Sequence, residues 1–288
     1  MPHSFAEQEL SLGFSPCPND TFIFDALVHG RVCPDGPRFS PVETADVETL
    51  NEWALAGRLA VTKLSFSALG RVLDRYVLLM AGSALGRGCG PLLVARKPCR
   101  IEDMAGGKIA IPGKHTTAAM LLRMYAPVPL STNAMRFDAI IPAVAAGEVD
   151  AGLIIHESRF TYQERGLALI ADLGAWWEEL TGLPIPLGGI AVKRSLGPEL
   201  IKAVDRCVLA SVEAAFAGPE AAMPYIREHA RELDPGVIKE HIGLYVNRFS
   251  LDLGAEGLAA VREFMARGRA AGIFPETGAG LALVSGEL

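Results

Sequence analysis

GPLLVARK at residues 90–97 has a counterpart in GGIAVKRS at residues 188–195; each is a short apolar run followed by two basic residues. Between them lies a segment, 98–187, with strand–helix units of its own. A chain that leaves one lobe to build a second, and then comes back, must cross between them twice. These two pieces are the natural crossings. The reading is therefore of two lobes, the first discontinuous (residues 1–96 and 190–288) and the second inserted into it (97–189).

Outward from these pieces, strands and helices alternate through the first 190 residues, the pattern of α/β sheets with right-handed crossovers. Strands are expected at 10–14, 60–64, 76–80, 91–95, 108–111, 151–155 and 188–192. Helices are expected at 47–56, 65–73, 116–125, 172–180 and 139–146, the last with Pro142 in its first turn. In the stretch SPCPND (15–20), Pro16 and Pro18 end the first strand and delay a helix over 21–29. Asn19 or Asp20 would cap that helix and Gly30 stop it. From 198 to 272 the pattern is helical, broken near Gly218, Pro235 and Gly254, and these helices are expected to pack back on the first lobe.

The 288 residues are half apolar and about a fifth charged, with a net charge of −6. No basic cluster points to nucleic acid. No run approaches the ~20 apolar residues of a membrane span, and MPHSFAEQELSLGF lacks the shape of a signal peptide. A cytoplasmic protein acting on a small molecule is expected, with the oligomeric state left open. The five cysteines (Cys17, Cys33, Cys89, Cys99, Cys207) form no C-x-x-C pair, so reduced thiols and no metal are expected. GRGCG (86–90) leads into a strand and lacks a phosphate-loop ending, so no nucleotide is expected there.

In open α/β sheets, ligands bind beyond the carboxyl ends of strands, where helices offer free N–H groups to anions. Three strand-to-helix turns are rich in small polar residues: 15–21, with Ser15 and Asn19; 62–67, with Lys63, Leu64 and Ser65; and 113–118, with Thr116, Thr117 and Ala118. Together they would make a pocket for a carboxylate-bearing small molecule, although the threonines serve equally as helix caps and Lys63 as a solvated charge. Of the six histidines, His3 lies in the terminal tail and His229 and His241 in the helical tail segment. His29 ends a helix, and His115 sits in a glycine turn. His156 differs: AGLIIHESRF climbs a buried strand and delivers an imidazole at its carboxyl end, with Glu157, Ser158 and Arg159 as possible orienting partners. It is either a structural strand-end residue or the general base. Cys17 is near a helix start but has no base in view, so a small buried role is expected and its replacement by alanine or serine tolerated.

Six motifs in order resemble the 1,4-dihydroxy-6-naphthoate synthases of the futalosine route to menaquinone. They are GFSPCPNDTFIFDALVHGRV (13–32), TKLSFSA (62–68), GRGCGPLLVAR (86–96), IPGKHTTA (111–118), GEVDAGLIIHESRFTY (147–162) and DLGAWWEELTGLPIPLGGI (172–190). The resemblance implies a type II periplasmic-binding-protein-like α/β fold with two hinge strands and C-terminal helices. It implies a lyase that cleaves cyclic dehypoxanthinylfutalosine to 1,4-dihydroxy-6-naphthoate with no cofactor. His156 would be the proton acceptor, and Lys63, Leu64, Ser65, Thr117 and Ala118 substrate contacts. A non-catalytic solute-binding protein and the chorismate dehydratase of the same route share the fold and stand as alternatives.

Overall fold

The first sheet is built where the chain's ends meet its middle. The computed structural model describes residues 5–230, 234–275, 281–284 and 286–287; His3 and residues 231–233 of the expected helical run lie outside them. Among the described residues eight strands form one sheet and five another. The first runs in the order Arg38–Thr44, Glu9–Phe14, Val61–Ser65, Ile185–Lys193, Tyr76–Leu78, Ala282–Leu283, Gly286–Glu287, with Ala84–Gly86 paired beside Ile185–Lys193. The second runs Ala168–Asp172, Leu92–Ala95, Ala151–Ile154, Lys108–Ile111, Ser131–Ala134.

Parallel pairing dominates where a helix connects neighbouring strands, as between Glu9–Phe14 and Arg38–Thr44. The two strands that follow a crossing are antiparallel to their neighbours: Leu92–Ala95 in the second sheet and Ile185–Lys193 in the first. Each enters its sheet from the far lobe rather than over a local helix, which removes the crossover that parallel pairing requires. By sheet membership the chain leaves the first sheet after Gly86 and rejoins it at Ile185. The expected boundaries, 96/97 and 189/190, fall after these points.

Helix Pro18–Val28 is buried along nearly its whole length. It has the first sheet on one side, with Phe14 stacked on Phe24 at 4.5 Å. On its other sides lie helices Pro198–Ala217, Met223–His229 and Pro235–Tyr245. Ser211 fastens it, donating to the Ile23 carbonyl at 2.7 Å and accepting from Leu27 N at 3.0 Å. Helix Gly254–Ala270 reaches further, its Phe264 packed edge-on to Trp177 and its Gly268 against Met120 of the second lobe.

Two helix starts differ from expectation. Pro18 opens the first helix instead of delaying it, with Cys17 in the capping position and Asn19 and Asp20 in the first turn. A proline has no N–H, and the first helical position has no use for one. Helix Phe137–Ala146 begins early enough to put Pro142 inside it, past the first turn. Pro142 is exposed, where a missing backbone hydrogen bond costs least. The helix expected over 65–73 shortens to Phe66–Leu69, closed at Gly70.

Candidate active site

Three turns converge on one cavity. Strand Glu9–Phe14 leads into Ser15, and Asp20, in the first turn of the next helix, reaches back to it. Asp20 Oδ2 accepts from Ser15 N at 3.1 Å and from Ser15 Oγ at 2.7 Å. Asp20 Oδ1 accepts from Lys63 Nζ at 2.7 Å and from Asn19 Nδ2 at 2.8 Å. Both charged residues are buried, Lys63 7% and Asp20 2% exposed, so each depends on the other for its charge to be tolerable. Lys63 is therefore no solvated surface cation.

Asn51 holds the second turn: its Oδ1 accepts from Ser65 N at 2.9 Å and its Nδ2 donates to Ser65 Oγ at 3.1 Å. That leaves the Ser65 hydroxyl hydrogen free to point at the cavity. In the third turn Thr116 caps helix Thr117–Tyr125, its Oγ1 accepting from Ala119 N at 3.1 Å. Thr117 Oγ1 donates to the Leu187 carbonyl at 2.7 Å, tying this helix to the returning strand. The N–H groups of Thr117 and Ala118 are left over by the helix itself.

Glu48 clasps this third turn from the opposite lobe. Asp46 caps helix Val47–Leu55, accepting from Glu48 N at 3.0 Å and Thr49 N at 3.3 Å. The Glu48 carboxylate then accepts from His115 N with both oxygens, at 3.0 and 3.1 Å. Gly113 makes room: its φ is +154°, and a Cβ there would lie 2.3 Å from Glu48 Oε2.

His156 follows strand Ala151–Ile154 in the left-handed region, φ +58°, a conformation that non-glycine residues adopt at a cost and that clusters at functional sites. Phe137 meets its ring edge-on at 5.1 Å. Burial pushes the imidazole below its ordinary pKa, and a Glu157 carboxylate, where ionised, acts in the opposite direction. It is a neutral base at neutral pH.

The nine residues singled out from the sequence, Ser15, Asn19, Lys63, Leu64, Ser65, Thr116, Thr117, Ala118 and His156, all line one cavity of about 700 Å³, its mouth included. Asp20, Leu187 and Tyr245 complete much of the wall. Cys17 is buried nearby, and burial raises its thiol pKa, so it is held as the protonated thiol.

Sequence reasoning missed Asp20 as an ion-pair partner, and with it Glu48, Asn51, Tyr245 and His241. His241 is fully buried, its Nε2 2.9 Å from Asn19 Oδ1 and its ring 6.0 Å from that of His156 at an interplanar angle of 16°. The sequence signal is faint: Ile238, His241 and Tyr245 share one buried helix face. A core histidine gives the same pattern.

A two-lobed α/β chain with a cavity between its sheets is a type II periplasmic-binding-protein-like fold. The alkanesulfonate-binding protein SsuA of Xanthomonas axonopodis pv. citri, solved bound to MOPS, shares it at a TM-score of 0.68 and 16% identity, over 93% of this chain and 94% of its own. A crystal structure of an Archaeoglobus fulgidus protein superposes with a TM-score of 0.84 at 34% identity, over 92% of this chain and 98% of its own. Within that class the chain belongs to the menaquinone biosynthesis family, whose model matches residues 10–270. It is 56% identical over 268 residues to the 1,4-dihydroxy-6-naphthoate synthase of Thermus thermophilus, covering 92% of this chain and 96% of the relative. It is 49% identical over 274 residues to the enzyme of the same name from Streptomyces coelicolor, covering 93% and 96%.

Proposed function

We propose that this chain is a cytoplasmic lyase that forms 1,4-dihydroxy-6-naphthoate from cyclic dehypoxanthinylfutalosine, with His156 as the general base. The observation that carries the reading is a buried, neutral imidazole on the wall of the cavity that the three polar turns share. The product is the one for which the relatives are named, and the substrate is the one the motif resemblance implies. Releasing the sugar-derived fragment begins with loss of a proton, and the ring that becomes aromatic supplies the driving force. A neutral imidazole suits that step. The N–H groups of Thr117 and Ala118 and the Ser65 hydroxyl would receive the carboxylate. Lys63, held by Asp20, adds positive potential and N–H donors without an uncompensated charge.

His156→Asn should lower kcat by about 10²–10⁴-fold, read as dihydroxynaphthoate formed. Turnover near that of wild type would overturn the base assignment. The pH dependence follows from the sign of the shift. The working form is neutral and burial lowers the pKa, so kcat/KM rises with pH along an acid limb whose midpoint lies below 6.5. Incubation with the cyclic substrate, and separately with chorismate, distinguishes this reading from a binder that returns the substrate intact and from a chorismate dehydratase.

A further inference from the structure

Beside His156 two buried acceptors face each other, outside the lining of the cavity. Their states follow from a chain of hydrogen bonds that starts at Lys63. Lys63 Nζ donates to Asp20 Oδ1, and the same oxygen accepts from Asn19 Nδ2. The Asn19 amide is thereby oriented, with its oxygen towards His241 Nε2 at 2.9 Å. An amide oxygen only accepts, so Nε2 carries a hydrogen. In a neutral imidazole the other nitrogen, Nδ1, is then a bare acceptor. It lies 3.8 Å from Glu157 Oε2, and both atoms are buried without a hydrogen-bond partner among the described residues. Neither residue lines the cavity, so a ligand held there does not supply the missing hydrogen.

Two acceptors pointed at each other in a water-poor interior repel, and each bears its desolvation cost uncompensated. A proton on either atom turns that repulsion into attraction. We propose that His241 and Glu157 hold a single proton between them and act as a positioning pair beside His156. The pair spans the lobes: Glu157 follows the second-sheet strand Ala151–Ile154, and His241 stands on helix Pro235–Tyr245, which packs on the first lobe. It therefore forms only where the two lobes meet, and it holds the His241 ring on which the His156 ring is stacked. With its proton the pair is neutral, so the base beside it is spared a carboxylate charge that would favour its protonated form. This inference rests on His156 being the base.

The other charges about these rings belong to both lobes. Asp20, Lys63 and Asp46 act on His156. Arg159 and the Cys89 thiol act on Tyr245, whose ring packs 4.7 Å from His241. None of them is altered by changing His241 or Glu157, so charge counting separates the alternatives. If the pair holds a proton, Glu157→Gln exchanges one neutral group for another and leaves the acid-limb midpoint of kcat/KM in place. His241→Gln keeps a donor for Asn19 at the reach of Nε2 but strands the Glu157 carboxylate, and the midpoint rises by about one pH unit or more. If instead the carboxylate is bare in wild type, Glu157→Gln lowers the midpoint and His241→Gln leaves it unmoved. That pattern overturns the proposal.

Nitrogen-15 spectra of histidine-labelled wild-type protein provide a second test that does not depend on turnover or on a variant's folding. The proposal requires the His241 Nδ1 resonance of a protonated or hydrogen-bonded nitrogen; the resonance of a bare lone pair overturns it. If His156→Asn retains turnover, the base assignment fails, whereas the Nδ1 resonance still reports on the pair.

Discussion

Lys63 and Asp20 carry opposite charges out of water at the cavity wall, and the pair decides what its neighbours can do. Removing one partner leaves the other buried and uncompensated. Lys63→Met should therefore destabilise the protein by about 3–5 kcal/mol, read from chemical denaturation. A double variant that also replaces Asp20 with leucine should recover part of that loss; no recovery would mean that the cost lies in packing and not in charge. His156 was legible in the sequence because a buried strand announces itself, and its carboxyl end is where such sheets bind ligands. Asp20 and His241 were not. Each has its partner far along the chain, 43 residues away for Asp20 and 222 for His241, and no local spacing encodes such a contact.

At the level of elements, helix Val47–Leu55 matters for where it aims its first turn. Asp46 fixes that start, and Glu48 projects from it across the cleft. Asp46→Ala should cost about 1 kcal/mol of stability through the lost cap. It should also raise KM, because the carboxylate that clasps the His115 N–H loses its anchor. A stability change with an unaltered KM would argue against this coupling. Most of the buried strands were readable from their apolar runs, although the short Ala84–Gly86 was not. Three others that were not are Arg38–Thr44, Ser131–Ala134 and Ala168–Asp172, each on the edge of its sheet. Arg38–Thr44 and Ser131–Ala134 face solvent and are largely polar, all four residues of Ser131–Ala134 being exposed, so the alternation that marks a half-buried strand is diluted; in Ala168–Asp172 only Asp172 is polar and only Ala171 is buried. Pro18 misled in the opposite direction, because the residue that breaks a helix interior is favoured at its first position.

At the scale of the whole molecule, few polar contacts join the lobes among the described residues. The Glu48 carboxylate on His115 N and Thr117 Oγ1 on the Leu187 carbonyl are the clearest. Glu48→Ala removes a charge-assisted pair of hydrogen bonds and should raise KM about tenfold. The variant should also be more expanded in small-angle scattering without ligand; an unchanged radius with unchanged KM would show that the clasp is dispensable. The two-lobe plan was legible from GPLLVARK and GGIAVKRS. Which strand belonged to which sheet was not, because that is settled by pairing partners and not by the strands' own residues.

The discontinuous first lobe also sets an order of birth. The five strands of the second sheet come from one stretch, 92–172, whereas the first sheet needs Ile185–Lys193 between strands made much earlier. Helix Pro18–Val28 depends on helices from beyond residue 198 to cover it. On the ribosome the inserted lobe can thus mature while the first remains an exposed, apolar half-product awaiting its later strand. Protease applied to arrested nascent chains should find the second lobe resistant first, and the first lobe only after the chain's last helices have emerged.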